Sequence, residues 1–181
     1  MPRTEIRFAG FGGQGVVLAG MILGEAAVIH DGMHAIQTQT YGAAARGGAA
    51  RSDVILSDAR IVYPQVTAPD IMAAFTLEAL NKYKNELKEN ATLIIDSSLF
   101  TPPEGLPYRI YQCPATKTAA DELGKSIVAN MVMLGFFTGV ARLVSVEAIE
   151  EAIRGNVPKG TEELNLRAFR RGMELAAEQM K

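Results

Sequence analysis

The chain has 181 residues, a length that suits one domain with a hydrophobic core of its own. Acidic residues outnumber basic residues by 20 to 18 and give a net charge of -2, which argues against binding to DNA or RNA. The single cysteine, Cys113, excludes an intramolecular disulfide, and this chain alone cannot supply the usual set of thiolates for an iron–sulfur cluster.

The sequence predicts neither a targeting segment nor a metal site. It begins MPRTEIRF, without an apolar signal region, and its longest apolar tract, residues 127–143, is shorter than the roughly 20 residues that span a bilayer. His30 and His34 are expected to be separated by a helix break at Gly32, and no cysteine or carboxylate pattern completes a zinc site. We therefore expect a cytoplasmic protein that binds no membrane and no metal.

The first half of the chain predicts the start of an α/β fold. Residues 4–10 alternate in polarity like a strand, and residues 16–30 have the apolar spacing of a helix. A short strand at residues 33–39 completes a Rossmann-like βαβ unit. Residues 40–53 are small, polar and rich in glycine and predict a long exposed loop, and residues 53–64 predict a β-hairpin around the turn SDAR.

The second half is predicted to complete the sheet and then to become helical. Ser145 and Thr161 are expected to cap helices through their side chains. The fold class that follows is a three-layer α/β domain over residues 1–181, with a mostly parallel sheet and a helical C-terminal part. The remaining predicted strands are residues 69–75, 91–98 and 108–115, and the remaining helices are residues 76–90, 118–124, 127–143, 145–155 and 161–180.

A glycine-rich loop, FAGFGGQGVV, follows the first strand and has the G-x-G-x-x-G spacing at Gly10, Gly12 and Gly15. Such a turn lets a pyrophosphate approach the backbone, and the next helix attracts anions at its N-terminus. An NAD site also needs an acidic residue after the second strand, where this sequence has Gln37 and Gln39. Three interpretations remain open: a nucleotide site, glycines that only pack the helix on the sheet, and an anion-binding turn at a protein interface.

A second candidate is the loop GAAARGGAARSD, in which Arg46 precedes Gly47 and Gly48. A guanidinium group in such a setting can bind a carboxylate or a phosphate, and an ordinary solvated loop is the alternative. Since this loop follows the second strand, we expect it at the same edge of the sheet as the glycine turn. Open α/β sheets build their sites at that edge.

Little else in the sequence points to catalysis. No Ser-His-Asp set or marked carboxylate pair can be assembled, and Cys113 has no nearby histidine to activate it and is expected to be buried. Gly135 and Gly139 are expected to pack the apolar helix closely on the protein's own sheet, with a contact between subunits as the alternative. The chain does not look like a complete enzyme, and no catalytic residue is assigned.

Three segments together resemble the gamma subunit of 2-oxoacid:ferredoxin oxidoreductases, namely FAGFGGQGVVLAG, QTQTYGAAARGGAARSDVILSD and PATKTAADELGKSIVANMVMLG. The resemblance runs in order over nearly the full length. It is strongest to the 2-oxoglutarate enzymes, whose gamma chains commonly carry a similar loop. Many relatives have Pro-Glu after the aromatic–glycine pair, whereas this chain has alanines there.

The resemblance implies a subunit of a complex that decarboxylates a 2-oxoacid oxidatively, with thiamine diphosphate, Mg²⁺, iron–sulfur clusters and coenzyme A as cofactors and ferredoxin as the electron acceptor. It also implies thiamine-binding alpha and beta subunits and often a ferredoxin-like delta subunit, with this chain inactive alone. The alternatives are a stand-alone dinucleotide-binding oxidoreductase and the gamma subunit of a pyruvate or branched-chain 2-oxoacid enzyme. The residues expected to face partners or coenzyme A are Gly10, Gly12, Gly13, Gln14, Gly15, Tyr41, Gly42, Arg46, Gly47 and Gly48.

Overall fold

A computed structural model describes residues 3–41 and 48–181, which fold around a six-stranded sheet with the order β2-β3-β1-β4-β5-β6. The strands are β1 (Thr4–Phe11), β2 (His34–Tyr41), β3 (Ala49–Ser57), β4 (Ile71–Ala74), β5 (Thr92–Asp96) and β6 (Arg109–Cys113). The helices are α1 (Val16–Glu25), α2 (Leu77–Tyr83), α3 (Ala115–Asp121), α4 (Ala129–Ala141), α5 (Val146–Asn156) and α6 (Glu162–Gln179). A π-helical turn, Ala26–His30, extends α1.

The sheet is mostly parallel, as predicted. β1, β4, β5 and β6 pair in parallel, and only β3 runs in the opposite direction, between β1 and β2. The carboxyl ends of β1 and β2 therefore lie at the same edge of the sheet, beside the start of β3. There Phe11 is opposite Ala49, and Tyr41 is opposite Ala50.

Helices cover both faces of the sheet, which confirms the three-layer α/β class. Alternate residues of each strand point to opposite faces. On one face, Ile71 and Ala73 of β4 pack in the large core formed with α1, α3, α4, α5 and α6. On the other face, Met72 and Ala74 pack against α2. None of the helices within residues 3–41 and 48–181 is long and apolar enough to cross a lipid bilayer.

Two details around β3 differ from the predictions. The predicted loop at residues 40–53 is too long, because residues 49–53 belong to β3, which is hydrogen-bonded on both sides. The predicted hairpin at residues 53–64 is wrong, because no strand follows β3 in residues 58–70. That segment is held instead by Arg3, whose guanidinium donates to the carbonyls of Tyr63 and Gln65 at 2.6 and 2.7 Å.

The two glycines of α4, Gly135 and Gly139, pack against α6. The prediction that they pack against the sheet is therefore wrong. A Cβ atom on Gly135 would collide with the backbone carbonyl of Phe169, and one on Gly139 would lie 2.7 Å from the Cβ of Ala176. Gly172 of α6 makes the reciprocal approach, because its Cβ would collide with the carbonyl of Val132. The glycines allow the two helices to touch along their backbones.

The predicted helix caps have different outcomes. Ser145 caps α5 as expected, since its hydroxyl accepts a hydrogen bond from the Ala148 amide at 3.3 Å. Thr161 precedes α6, but its side chain does not cap the helix. Its hydroxyl donates to the Pro158 carbonyl at 2.7 Å and accepts from the side-chain amide of Asn165 at 3.1 Å. The hydroxyl therefore stabilises the connection between α5 and α6.

Candidate functional site

The glycine turn joins β1 to α1 in a tightly fixed loop. The Gln14 side chain accepts a hydrogen bond from the Phe11 amide at 2.7 Å, and the Gln14 amide donates back to the Phe11 carbonyl at 3.2 Å. Gly13 and Gly15 have φ angles of 97° and 73°, in the left-handed region that favours glycine. Gly10 is needed for space, because a Cβ there would collide with the Gln14 side chain. The predicted turn is thus built by the residues that the sequence motif identifies.

Asn130, in the first turn of α4, supports the glycine turn from the opposite side. Its side-chain amide donates to the Gly15 carbonyl at 3.4 Å, and only 4% of the residue is exposed. A Cβ on Gly15 would collide with this amide. The sequence prediction did not include Asn130 among the site residues. The sequence signal for Asn130 is that it is a polar residue in the otherwise apolar start of the tract 127–143.

Two other predicted site residues, Tyr41 and Gly48, lie beside the glycine turn. The Gly12 amide donates to the Gly48 carbonyl at 2.9 Å, so the end of the second loop is hydrogen-bonded directly to the turn. Tyr41 lies at the end of β2 and is 61% exposed. Among the described residues, the two candidate segments therefore meet at one edge of the sheet. The predicted residues Gly42, Arg46 and Gly47 lie outside the described residues.

Three open cavities meet at Gly13. They have volumes of about 370, 320 and 290 Å³ and extend from the turn toward Tyr41, Leu99 and Pro158 respectively. The described residues in their walls are uncharged, and several are apolar and exposed, with Ile127 exposed by 73%. The first residues of α1, Val16, Val17 and Leu18, lie in the wall of the cavity of about 370 Å³. The site can therefore offer apolar contact and helix N-terminal amide groups to a ligand or a partner.

No described residue at this edge has the properties of an activated nucleophile. Cys113, at the end of β6, is completely buried, and burial together with the nearby Asp96 carboxylate raises the pKa of its thiol well above the usual range. The Asp96 carboxylate is itself used structurally, because it accepts hydrogen bonds from the Thr116 hydroxyl at 2.6 Å and from the Ser98 amide at 3.0 Å. The expectation of a buried, structural cysteine is confirmed.

The strand arrangement also argues against a dinucleotide site. The predicted βαβ unit is present, but its parallel strands β1 and β2 are not neighbours, since antiparallel β3 lies between them. In a dinucleotide-binding fold, an Asp or Glu side chain that binds the ribose hydroxyl lies at the carboxyl end of the strand that follows the first helix. Here that strand ends in Gln39, Thr40 and Tyr41. The glycine turn therefore has no acidic neighbour in β2 to hold a ribose.

Gln14→Ala is expected to loosen the turn and to lower the free energy of unfolding by about 1 kcal/mol, because the Phe11 amide loses its acceptor. Gln14→Glu is the matched control, since it keeps an oxygen at the same position and should cost less. Urea unfolding of both variants measures the difference. Equal losses for the two variants would contradict a role for the side-chain oxygen.

Comparison with known proteins shows the family to which this chain belongs. The family model for pyruvate ferredoxin/flavodoxin oxidoreductase matches residues 5–175. The chain is 49% identical to the 2-oxoglutarate synthase subunit KorC of Methanothermobacter marburgensis, over 99% of this chain and 100% of that protein. It is 48% identical to KorC of Methanocaldococcus jannaschii, over 97% and 95%. Identity to the pyruvate synthase subunit PorC of M. marburgensis is 32%, over 98% and 97%.

Two solved structures share the fold. The keto/oxoacid ferredoxin oxidoreductase gamma subunit of Geobacter sulfurreducens superposes with a TM-score of 0.86 at 43% identity, covering 97% of this chain and 99% of that one. The 2-oxoglutarate:ferredoxin oxidoreductase of Magnetococcus marinus also gives 0.86, at 25% identity, with 98% of this chain matching 32% of a longer one. The chain therefore belongs to the pyruvate ferredoxin/flavodoxin oxidoreductase family, as a gamma subunit of the 2-oxoacid:ferredoxin oxidoreductase type.

Proposed function

We propose that this chain is the gamma subunit of a 2-oxoglutarate:ferredoxin oxidoreductase, and that residues 1–181 act as one domain of that complex in the cytoplasm. The observation that carries the proposal is the 48–50% identity to three KorC subunits over nearly the whole of each chain. Identity to the pyruvate and ketoisovalerate enzymes is lower, at 31–35%. The comparison thus favours 2-oxoglutarate over pyruvate and branched-chain substrates.

Within that complex, the chemistry would be divided between subunits. The thiamine diphosphate with its Mg²⁺ would supply decarboxylation, the iron–sulfur clusters would transfer electrons to ferredoxin, and the alpha, beta and delta subunits would hold these groups. The residues of this chain fit that division, because its one cysteine is buried and not available as a cluster ligand. The proposed contribution of the chain is structural and close to coenzyme A.

The edge of the sheet around Gly13 is the surface that we assign to this contribution. Its apolar cavities suit the uncharged arm of coenzyme A or the side chains of a partner subunit. The α1 N-terminus, with the glycines before it, suits an anionic group at the same place. In the Magnetococcus complex, whose structure contains coenzyme A and succinyl-CoA, a domain of the same fold is present.

Co-purification tests the assembly. We expect the tagged chain, expressed anaerobically in its native organism, to retain thiamine-binding alpha and beta subunits through size-exclusion chromatography. The matched control is the same tag on an unrelated protein. Recovery of the chain alone at physiological ionic strength would contradict the proposed complex.

Arg46→Ala is expected to weaken coenzyme A binding or turnover in the reconstituted complex by about 10-fold or more, because one charge-assisted contact contributes about 1.5–3 kcal/mol. The control is Arg60→Ala, which removes an exposed arginine from the segment after β3, at the opposite edge of the sheet. Initial rates at varied coenzyme A concentration measure the effect. Wild-type kinetics for Arg46→Ala would remove this residue from the site.

A further inference from the structure

The cavity of about 290 Å³ is lined by two buried asparagine side chains. It lies between the start of α1, the first turns of α4 and α6, and the connection from α5 to α6. Asn130 is 4% exposed and Asn165 is 7% exposed, and both residues line this cavity. The rest of the described wall is mainly apolar, with Leu18 and Leu164 among its residues. Since a buried amide is costly unless its polar atoms are paired, the hydrogen bonds of these two side chains indicate what the cavity can bind.

Neighbouring acceptors fix the orientation of both side-chain amides. The Nδ2 atom of Asn130 donates to the Gly15 carbonyl at 3.4 Å. The Nδ2 atom of Asn165 donates to the Thr161 carbonyl at 2.9 Å and to the Thr161 hydroxyl at 3.1 Å. That hydroxyl uses its own hydrogen on the Pro158 carbonyl, so it can only accept from Asn165. An amide rotated by 180° would place its oxygen against these acceptors, and the oxygen of each asparagine therefore points away from them.

The cavity therefore offers two side-chain acceptors and one side-chain donor. Neither the Oδ1 atom of Asn130 nor that of Asn165 accepts a hydrogen bond from the described residues. Both oxygens stay accessible to solvent although each residue is more than nine-tenths buried, so the open side of each amide faces the cavity. Asn130 also keeps one Nδ2 hydrogen, because it makes a single hydrogen bond. Since the described wall is uncharged, the complementary group is neutral, with two N–H donors and one acceptor.

The edge of an adenine ring has this complementary pattern. Its exocyclic amino group has two hydrogens, and the ring nitrogen beside that group accepts a hydrogen bond. An asparagine side chain pairs with this edge through both of its amide atoms. Apolar walls suit the faces of the ring, and the cavity volume is close to the lower end of the range for small-molecule pockets, about 300 Å³. The uncharged arm of coenzyme A fits less well, because its two amide carbonyls need donors and the described side chains of the wall have one to give.

We propose that this cavity binds the adenine ring of coenzyme A, an inference that rests on the proposed function for the identity of the ligand. Asn130 pairs with the amino group and a ring nitrogen, and Asn165 accepts the second hydrogen of the amino group. Gly13 and Gly15 line the same cavity, so the ring lies beside the turn to which an anionic group is assigned. The cavity of about 370 Å³ is then left for the uncharged arm. The two asparagines distinguish adenine from a purine without the amino group.

The test compares two ligands of the reconstituted complex by isothermal titration calorimetry. One ligand is coenzyme A, and the other is its analogue in which a hydrogen replaces the amino group of the adenine. The wild-type complex should bind coenzyme A at least about 10-fold more tightly, because the analogue leaves buried acceptors unpaired. Asn165→Leu should weaken binding of coenzyme A by about 10-fold and leave binding of the analogue nearly unchanged. A merely structural role of Asn165 would weaken the binding of both ligands equally, and that result would overturn the inference.

Asn156→Leu is the matched control. The Asn156 side chain also donates to the carbonyl four residues earlier, that of Ala152 at 2.8 Å, but it does not line the cavity, so both dissociation constants should stay unchanged. Equal affinity of the assembled wild-type complex for the two ligands would overturn this inference and leave the proposed function intact. A chain that does not assemble with thiamine-binding subunits would overturn both. Slower hydrogen exchange in the first turns of α4 and α6 on assembly, before coenzyme A is added, would overturn the inference in favour of a partner subunit.

Discussion

Replacing Gly172 by leucine is expected to lower the free energy of unfolding by about 3 kcal/mol or more. Gly172 and Gly135 lie where α6 and α4 cross, and a Cβ on Gly172 would collide with the Val132 carbonyl and lie 2.7 Å from the Phe136 amide nitrogen. These are backbone atoms, which cannot move aside as a flexible side chain can. The helices would have to separate and expose Phe136 and Phe169, which are fully buried.

Gly155→Ala provides the matched control for this prediction. Gly155 is also helical, but a Cβ there would have only an ordinary contact, 3.7 Å from the Glu25 carboxylate. Alanine should stabilise the chain by about 0.5 kcal/mol, because it restricts the unfolded state. Thermal and urea unfolding measure both variants. A loss below about 1 kcal/mol for Gly172→Leu would mean that the two helices are not in backbone contact.

The second large effect is expected at Asp53, the partner of the buried Arg7 on the α2 face of the sheet. Arg7 is 1% exposed and donates to both carboxylate oxygens of Asp53, at 2.7 and 3.1 Å. Its guanidinium also pairs with Glu86 and lies over the Tyr83 ring at 4.9 Å. Asp53→Ala should cost about 3–5 kcal/mol, because it leaves a buried cation with only one, partly exposed partner.

A double-mutant cycle distinguishes the loss of this pair from the loss of packing. Arg7→Met/Asp53→Leu removes both charges and keeps apolar volume, so it should be much less destabilising than the sum of the single variants. Asp53→Asn should be intermediate, since it keeps one acceptor oxygen. Additive losses in the cycle would show that the two residues do not stabilise the fold as a pair.

The elements with strong local patterns were predictable from sequence. The apolar run of residues 93–95 within the predicted strand 91–98 indicates β5, and residues 93–96 are buried as a strand covered on both faces requires. The spacing of the glycines predicts the turn that follows β1. In the structure, Gly13 and Gly15 have the positive φ angles that favour glycine. Where a residue's role follows from its own backbone or its near neighbours, the pattern was sufficient.

The errors come from contacts distant in sequence. The start of β3 consists of small residues, Ala49 and Ala50, and becomes a strand only because it pairs with β1 and β2. The segment around Tyr63 has strand-like residues, but Arg3 binds its carbonyls and Pro64 lacks an amide for a ladder. Local propensity cannot reveal either effect.

At the candidate site, too, the local features were predictable and the contacts between distant residues were not. Gly12 and Gly48 were both predicted, but the hydrogen bond that joins them depends on the sheet register. Asn130 is 115 residues from Gly15, and no local pattern connects them. The contact of Gly135 with α6 likewise depends on the matching glycine, Gly172, which lies 37 residues further along the chain. Long-range pairs of this kind need the three-dimensional structure.

The most direct test of the proposed function is the substrate preference of the reconstituted complex. The chain, combined anaerobically with alpha, beta and delta subunits from the same organism, should support coenzyme A-dependent reduction of ferredoxin. We expect kcat/KM for 2-oxoglutarate to exceed that for pyruvate and 2-oxoisovalerate by at least about 10-fold, and omission of this chain should abolish the activity. Preference for pyruvate or 2-oxoisovalerate, or full activity without the chain, would contradict the account.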